Sequence, residues 1–306
     1  VVKLGTRHTF TSILALRRYL SNERPAALLA AKDRAARAAV VARWLAGGRC
    51  RLVFRIGTTL SAALEGKSRL RKGAWYLPMR FFYRFADAIV GVSRGVTDDL
   101  KAITGLPDNR FRVIDNPVIT PDLIRMSREP VAHPWLAAGQ PPVVMGMGRL
   151  TRQKDFPTLL KAFAIVAGQR DCRLMILGEG RDRDDLQRLA GCLGIDDRLA
   201  MVGFKSNPYA YLRHAALFVL SSAWEGSPNA LTEAMALGLP VVATDCPSGP
   251  REILDGGRVA PLVDVGDHAA LAEAMIRIMD DPPEPEEMAE AAAGFTMIIS
   301  SRRCLD

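Results

Sequence analysis

Leu217-Phe-Val-Leu-Ser-Ser-Ala-Trp-Glu-Gly-Ser-Pro-Asn-Ala-Leu-Thr-Glu-Ala-Met-Ala-Leu-Gly-Leu-Pro-Val-Val-Ala-Thr-Asp245 reads as strand, loop, helix and strand in succession. Leu217 to Leu220 is a short apolar run, as is Val241 to Thr244. Between them, Ser227 is placed to cap a helix and Pro228 to be its first residue, so the helix is expected from Pro228 to Leu237 with open amides at Asn229, Ala230 and Leu231. Such a strand-helix-strand unit is the building block of a doubly wound α/β fold.

The same rhythm extends in both directions. Upstream, strands are expected at Val1 to Leu4, Ala26 to Leu29, Arg51 to Phe54, Ala88 to Val92 and Arg112 to Ile114. A second series is expected at Val143 to Met147, Arg173 to Leu177, Leu199 to Val202, Leu217 to Leu220, Val241 to Thr244 and Val259 to Val263. Helices fill the gaps of the second series at Phe156 to Ala167, Arg183 to Leu193, Pro208 to His214, Pro228 to Leu237 and Ala269 to Met279. Asn116 to Pro142 carries six prolines and is expected to be a linker. The chain thus divides into an N-terminal α/β domain with linker, residues 1–135, and a C-terminal α/β domain, residues 136–306. The acidic, proline-rich tail from Asp280 to Glu290 reads as a solvated loop.

Composition sets the class. The chain has 306 residues, 49% of them apolar and 24% charged, which suits a globular protein and excludes disorder, collagen and coiled coil. No stretch is apolar enough to span a bilayer and the N-terminus lacks signal-peptide patterning, so a cytoplasmic protein is expected. Five scattered cysteines, Cys50, Cys172, Cys192, Cys246 and Cys304, signal neither a disulfide framework nor a zinc knuckle. The net charge of +8 conceals a division: residues 1–135 hold 24 basic and 10 acidic side chains, a balance of +14, leaving −6 for the remainder. A cationic half suits nucleic acid, an anionic membrane or a phosphorylated acceptor. No zinc finger or RNA-binding aromatic signature is present, so nucleic acid is not expected as a partner.

Several residues at predicted strand ends carry chemistry. The helix beginning near Pro228 offers its positive end to a diphosphate. Glu225 lies in the loop before that helix and Glu233 about one and a half turns inside it, so two carboxylates can reach different parts of one ligand; alone, such a pair is as readily a loop charge and a solvated helix residue. Arg149 and Lys154 follow the strand ending at Met147, at the edge where open α/β sheets bind ligands, and can neutralise a diphosphate. Gly178-Glu179-Gly180 follows another strand; Arg183 occupies the third glycine position of a dinucleotide fingerprint, so a tight turn explains these glycines better than nicotinamide binding. Asp182-Arg183-Asp184 has the letters of a metal motif but reads as a helix start.

Taken together, Gly148-Arg149-Leu150 with Lys154, the strand ending in Gly178-Glu179-Gly180, Gly203-Phe204, Glu225 to Ala234 and Pro240 to Asp245 resemble the donor domain of family 4 retaining glycosyltransferases. Ala86 to Val96 and Asp115 to Val118 are similar to the end of that family's first domain. The resemblance implies the GT-B fold, two Rossmann-like doubly wound parallel-sheet domains facing a cleft. It implies retaining transfer of a sugar from a UDP- or GDP-sugar donor to a hydroxyl of a lipid-linked or cell-envelope polysaccharide acceptor, with no metal or other cofactor. Catalytic roles then fall to Arg149 and Lys154 on the diphosphate and to Glu225 beside the transferred sugar. Glu233 would hold the ribose, the amides of Asn229, Ala230 and Leu231 the phosphate or sugar, Gly203 and Phe204 the nucleobase, with Gly148, Gly178 and Glu179 nearby.

Three features depart from the family. The glycine-rich loop after the first strand has no match, as though the N-terminal domain lacked its first elements, and Arg55-Ile-Gly-Thr-Thr stands where a histidine is common. His8 and His133 read as surface or linker residues, and the stretch after Ala293 is unlike the family's closing helix. A non-catalytic or fragmentary sugar-nucleotide-binding protein and a sugar-nucleotide epimerase of the same fold therefore stand as alternatives. Trp75 to Phe85 holds six aromatics with Arg80 and Arg84, preceded by Lys67, Arg69, Arg71 and Lys72. Residues 67–85 suit either core packing or peripheral contact with an anionic membrane, at the inner face of the plasma membrane, with Pro78 near the helix start.

Overall fold

A computed structural model describes the backbone of residues 9–305 and the side chains of residues 11–302. The strand expected at Val1 to Leu4 and His8 lie outside the described residues. The chain forms two compact units, residues 1–115 and 116–306.

In the first unit, β1 (Ala27–Ala31), β2 (Arg51–Ile56), β3 (Ala88–Gly91) and β4 (Phe111–Val113) form a parallel sheet in that order. Leu52, Phe54 and Ile56 alternate into a core shared with Val40, Tyr83 and Leu100 from the crossover helices. The last of these helices, Arg94–Thr104, starts where Ser93 Oγ accepts the Val96 amide and stops at Gly105, whose φ of 67° is the left-handed turn that glycine allows.

The helix Arg69–Tyr83 contains Pro78 in its interior rather than near its start. Proline removes the hydrogen bond to the Ala74 carbonyl, and Ala74 is exposed, so water can satisfy that group. The apolar side chains of this helix and the turn after it divide between core and solvent. Tyr83 is fully buried edge-on to Phe54 at 5.2 Å, and Phe85 packs on Trp44 at 4.7 Å. Leu70, Trp75, Leu77 and Phe81 remain exposed.

In the second unit, six parallel strands run in the order β10-β9-β8-β5-β6-β7: β5 (Val143–Met147), β6 (Arg173–Leu177), β7 (Leu199–Gly203), β8 (Leu217–Leu220), β9 (Val241–Thr244) and β10 (Leu262–Val263). The chain builds outward from β5 to β7, then returns to place β8 on the other side of β5. Helices bury both sheet faces, which is why the strands are continuous apolar runs without alternation. Val144, Ile176, Val219 and Val242 meet Leu159, Phe163, Leu271 and Met275 on one face. Met145, Leu177, Phe218 and Ala243 meet Leu231, Met235 and Met288 on the other.

The structure departs from four sequence expectations. The unit boundary falls at Asp115, so residues 116–135, grouped above with the N-terminal half, pack with the C-terminal unit. The amides of Val118 and Ile119 both donate to the Phe295 carbonyl at 3.0 Å, and the proline-rich segment forms a helix, Pro121–Ser127. The acidic tail also forms a helix, Pro285–Ala292, which buries Met288 and Ala292. In both cases proline occupies the first turn, where its missing N–H costs nothing. Finally, β10 is confined to two residues because Pro261, offering no N–H, precedes it and the Val259 amide turns back to Leu254. After Ala293 the chain closes with a helix, Met297–Leu305. His133, read as linker, accepts the Trp135 amide on Nδ1 at the start of a short 3-10 turn.

Candidate active site

The return from β7 to β8 makes the carboxyl ends of β5 and β8 neighbours, the crevice where open α/β sheets receive ligands. Loop 148–155 leaves β5 and loop 221–228 leaves β8, and side chains from both converge. Lys154 Nζ donates to Glu225 Oε1 at 2.6 Å, with the two side chains only 16% and 8% exposed. Ser222 Oγ donates to the same oxygen at 2.7 Å. The Gln153 amide nitrogen donates to the Trp224 carbonyl at 3.1 Å and lies 3.5 Å from Glu225 Oε2, while its oxygen lies 3.5 Å from Arg149 Nη2. Arg149 itself is exposed. Thus Arg149, Lys154 and Glu225 stand together, as their motifs suggest. Gln153 and Ser222, which the motif reading omits, link them.

Glycines let the loops close on one another. Gly148 has φ +152°, and a Cβ there would lie 2.6 Å from Lys154 Cε. Gly178 has φ +143°, and its Cβ would sit 1.9 Å from the Gly148 carbonyl oxygen. The Gly178 amide donates to the Gly203 carbonyl at 2.9 Å, and a Cβ on Gly203 would approach Glu179 Oε1 to 2.8 Å. Glu179 pairs with Arg183 at 3.2 Å. Gly148, Gly178, Glu179 and Gly203 are therefore one packed ridge along the sheet edge, and Phe204 projects from it, 77% exposed. A large flat apolar side chain held in water at a ligand edge is suited to stack on a base.

The helix after loop 221–228 runs Asn229–Ala236, one residue later than expected at its start. Pro228, with ψ 94°, is the cap rather than the first helical residue, and Ser227 caps nothing. The Leu231 amide is consumed by the Pro228 carbonyl at 3.0 Å, so among the three amides only Asn229 and Ala230 remain available to a ligand. The Asn229 side chain meets Asn116 at 2.6 Å. Glu233 is half-buried within this helix, and Tyr209 OH donates to its Oε1 at 3.4 Å. Burial pushes the Glu233 carboxyl above its ordinary range, against the pull of the Tyr209 hydrogen bond and the Lys154 charge. Burial also pushes the nearby Cys246 thiol up to about 12, so it stays protonated and unreactive.

The arrangement presents two cations and two open amides to an anion, one buried carboxylate beside them and a second carboxylate inside the helix. Residues 128–295 match the family described as glycosyl transferases group 1, and residues 2–120 match glycosyltransferase family 4. The chain belongs to the group 1 glycosyltransferases, with the GT-B fold. The lipopolysaccharide core biosynthesis glycosyltransferase LpsE of Rhizobium meliloti is 32% identical over 209 residues, covering 68% of this chain and 58% of that protein. An N-acetylgalactosaminyltransferase acting on N-acetylgalactosamine-N,N'-diacetylbacillosaminyl-diphospho-undecaprenol in Campylobacter jejuni is 27% identical over 235 residues, covering 77% and 62%. An uncharacterized glycosyltransferase of Methanocaldococcus jannaschii is 33% identical over 180 residues, covering 58% and 44%. The chain spans about half the length of the curated relatives it matches. Among solved structures, Anabaena HepE in complex with UDP and glucose superposes with a TM-score of 0.74 at 20% identity, covering 98% of this chain and 80% of that one. The apo lipopolysaccharide outer core galactosyltransferase WaaB gives 0.72 at 20%, covering 97% and 78%.

Gly178→Ala is expected to destabilise the C-terminal unit by about 2 kcal/mol or more, through a forbidden φ and a backbone clash. Gly191→Ala, in a helix with open space around it, should instead stabilise by roughly 0.5–1 kcal/mol. Urea unfolding of both variants checks the contrast, and equal effects would contradict the close packing of Gly178 on Gly148.

Proposed function

We propose that this chain transfers a sugar from a nucleotide-activated donor to a hydroxyl of a lipid-linked or cell-envelope glycan, keeping the anomeric configuration. The observation that carries this reading is the buried Lys154–Glu225 pair beside Arg149 and the amides of Asn229 and Ala230, at the crevice between β5 and β8. As the bond between sugar and diphosphate breaks, negative charge grows on the departing diphosphate. Arg149 offers a forked contact to it, and Lys154 retains two further N–H donors besides the one on Glu225. Preorganised donors of this kind are commonly the largest contribution to such a step.

In this reading Glu225 serves the transferred sugar, Glu233 the ribose and Phe204 the base. UDP and glucose in HepE, and the lipopolysaccharide and undecaprenol-linked substrates in the names of the relatives, favour a UDP-sugar and an envelope acceptor. Two cations with two amides provide the charge compensation that a divalent ion gives elsewhere, so no metal is invoked. On the first unit, Leu70, Ala74, Leu77 and Phe81 recur at helical spacing and are exposed among Lys67, Arg69, Arg71, Arg80 and Arg84. That face suits peripheral contact with anionic lipid, which would hold the protein at the inner face of the membrane that carries its acceptor.

Arg149→Ala or Lys154→Ala is expected to lower turnover by ~10²-fold or more, and wild-type turnover to persist in excess chelator. Wild-type rates in both variants, or activity lost to EDTA and restored by Mg²⁺ or Mn²⁺, would contradict the clamp. Screening UDP- and GDP-sugars for transfer, hydrolysis and isomerisation separates a transferase from an epimerase or a silent binder.

Glu233 accepts a ribose hydrogen bond most strongly as the carboxylate. Because its folded-state value is raised, it protonates at a higher pH than an exposed glutamate as pH falls. Nucleoside diphosphate affinity should therefore decline on acidification starting above the ordinary carboxylate range, and Glu233→Ala should lower it by roughly 10- to 100-fold, the scale of a charged hydrogen bond. Titration calorimetry across pH with Glu233→Gln checks this, since an acid limb unchanged in that variant would assign it elsewhere.

Each basic residue near an anionic surface contributes roughly 1 kcal/mol. Vesicle co-sedimentation should therefore need anionic lipid, decline with salt and weaken when Arg69, Arg71 and Lys72 are replaced together by Ser. Equal binding to neutral vesicles would leave the aromatic side chains alone responsible, and no binding to either would remove the membrane from this proposal.

A further inference from the structure

At the tip of β8, two consecutive serines engage the two members of the central ion pair. Ser221 Oγ donates to the backbone carbonyl of Lys154 at 2.8 Å, and Ser222 Oγ donates to Glu225 Oε1 at 2.7 Å. The two side chains thus address different partners, one the Lys154 backbone and the other the Glu225 carboxylate. The serines are 2% and 0% exposed. From β9, Thr244 Oγ1 donates to the Ser222 carbonyl at 2.6 Å, and the Ala223 amide donates to the Gln153 carbonyl at 2.8 Å. The two loops are thereby bonded to each other at their bases, and β9 braces one of them through Thr244.

We propose that Ser221 and Ser222 are positioning residues, Ser221 setting the Lys154 backbone and Ser222 setting the Glu225 carboxylate, so that both charges are in place before the sugar diphosphate arrives. This rests on the functional reading above. A carboxylate as buried as Glu225 depends on protein donors, and leaving it unpaired is costly. When the other two N–H donors of Lys154 engage a diphosphate, its charge is shared between two anions. Ser222 is neutral and fixed to the strand end, so it stays on Glu225 through that exchange and holds the carboxylate toward the sugar. Neither serine touches substrate; each acts through its partner.

The test is a double-mutant cycle on the full chain with whichever of UDP-glucose, UDP-galactose and GDP-mannose the wild type turns over. Ser222→Ala is expected to lower kcat about tenfold at saturating donor and to leave the Kd for the nucleoside diphosphate within about threefold of wild type. In a Glu225→Gln background the same change should cost nothing further, because its effect runs through the carboxylate. Ser222→Cys keeps the volume with a weaker donor, should give an intermediate kcat, and replaces the alanine variant in the cycle if that variant fails to fold. Wild-type kcat, or an equal fall in both backgrounds, overturns the proposal. A wild type that turns over none of the three sugars defeats the functional reading by itself. Positioning is then read by calorimetry, where Ser222→Ala should abolish the preference for a nucleotide sugar over its nucleoside diphosphate, and an unchanged preference overturns it.

Discussion

The parallel pairing of β5 with β8 is the constraint on which the C-terminal unit depends. Only Val144 with Leu217 and Met145 with Phe218 are in register, yet that contact reverses the winding of the sheet and brings two distant loops to one edge. Strands buried on both faces cannot slide without exposing apolar side chains, so the register is held by the two helical layers. Every polar contact at the crevice inherits its geometry from that register.

The ion pair built on this edge is poorly explained as a stabilising device. Moving two charges out of water costs several kcal/mol per ion, which the attraction between Lys154 and Glu225 recovers only with additional hydrogen bonds. Those bonds are present, from Ser222 and Gln153, and Thr244 braces the Ser222 backbone. The glycine ridge has the same logic. Gly148, Gly178 and Gly203 take backbone angles that glycine adopts without strain, at an entropic cost, and side chains there would push the loops apart. Both features cost folding free energy and leave preplaced charge at a sheet edge, a pattern expected where a ligand must be met without rearrangement.

The first unit solves a different problem. Its sheet is short and its basic side chains are many, while the helix Arg69–Tyr83 divides its apolar residues between the core and solvent. Met79 and Tyr83 anchor the helix inward, which fixes Leu70, Leu77 and Phe81 outward by helical periodicity. One helix is thus committed to the core by one face and leaves apolar side chains exposed among basic ones on the other.

The sequence by itself determined the elements whose signals are local. β5, β6, β8 and β9, and the helices Phe156–Ala167 and Arg183–Leu193, have the boundaries their apolar runs and turn residues predict. It also marked Arg149, Lys154, Glu225 and Glu233, because their motifs sit at strand ends that a parallel sheet must gather on one side. Only the tertiary structure decided which groups hold those residues. Gln153 and Ser222 meet Glu225 from separate loops, and Tyr209 meets Glu233 from another element; no local pattern encodes a hydrogen bond that depends on strand register. Proline density misled at residues 116–142 and 280–290, since a proline in a first turn starts a helix as readily as a proline elsewhere ends one. The open amides narrowed from three to two for a related reason. Whether the Leu231 N–H points to a ligand or back to the Pro228 carbonyl depends on the backbone conformation at the cap, which the residue letters do not state.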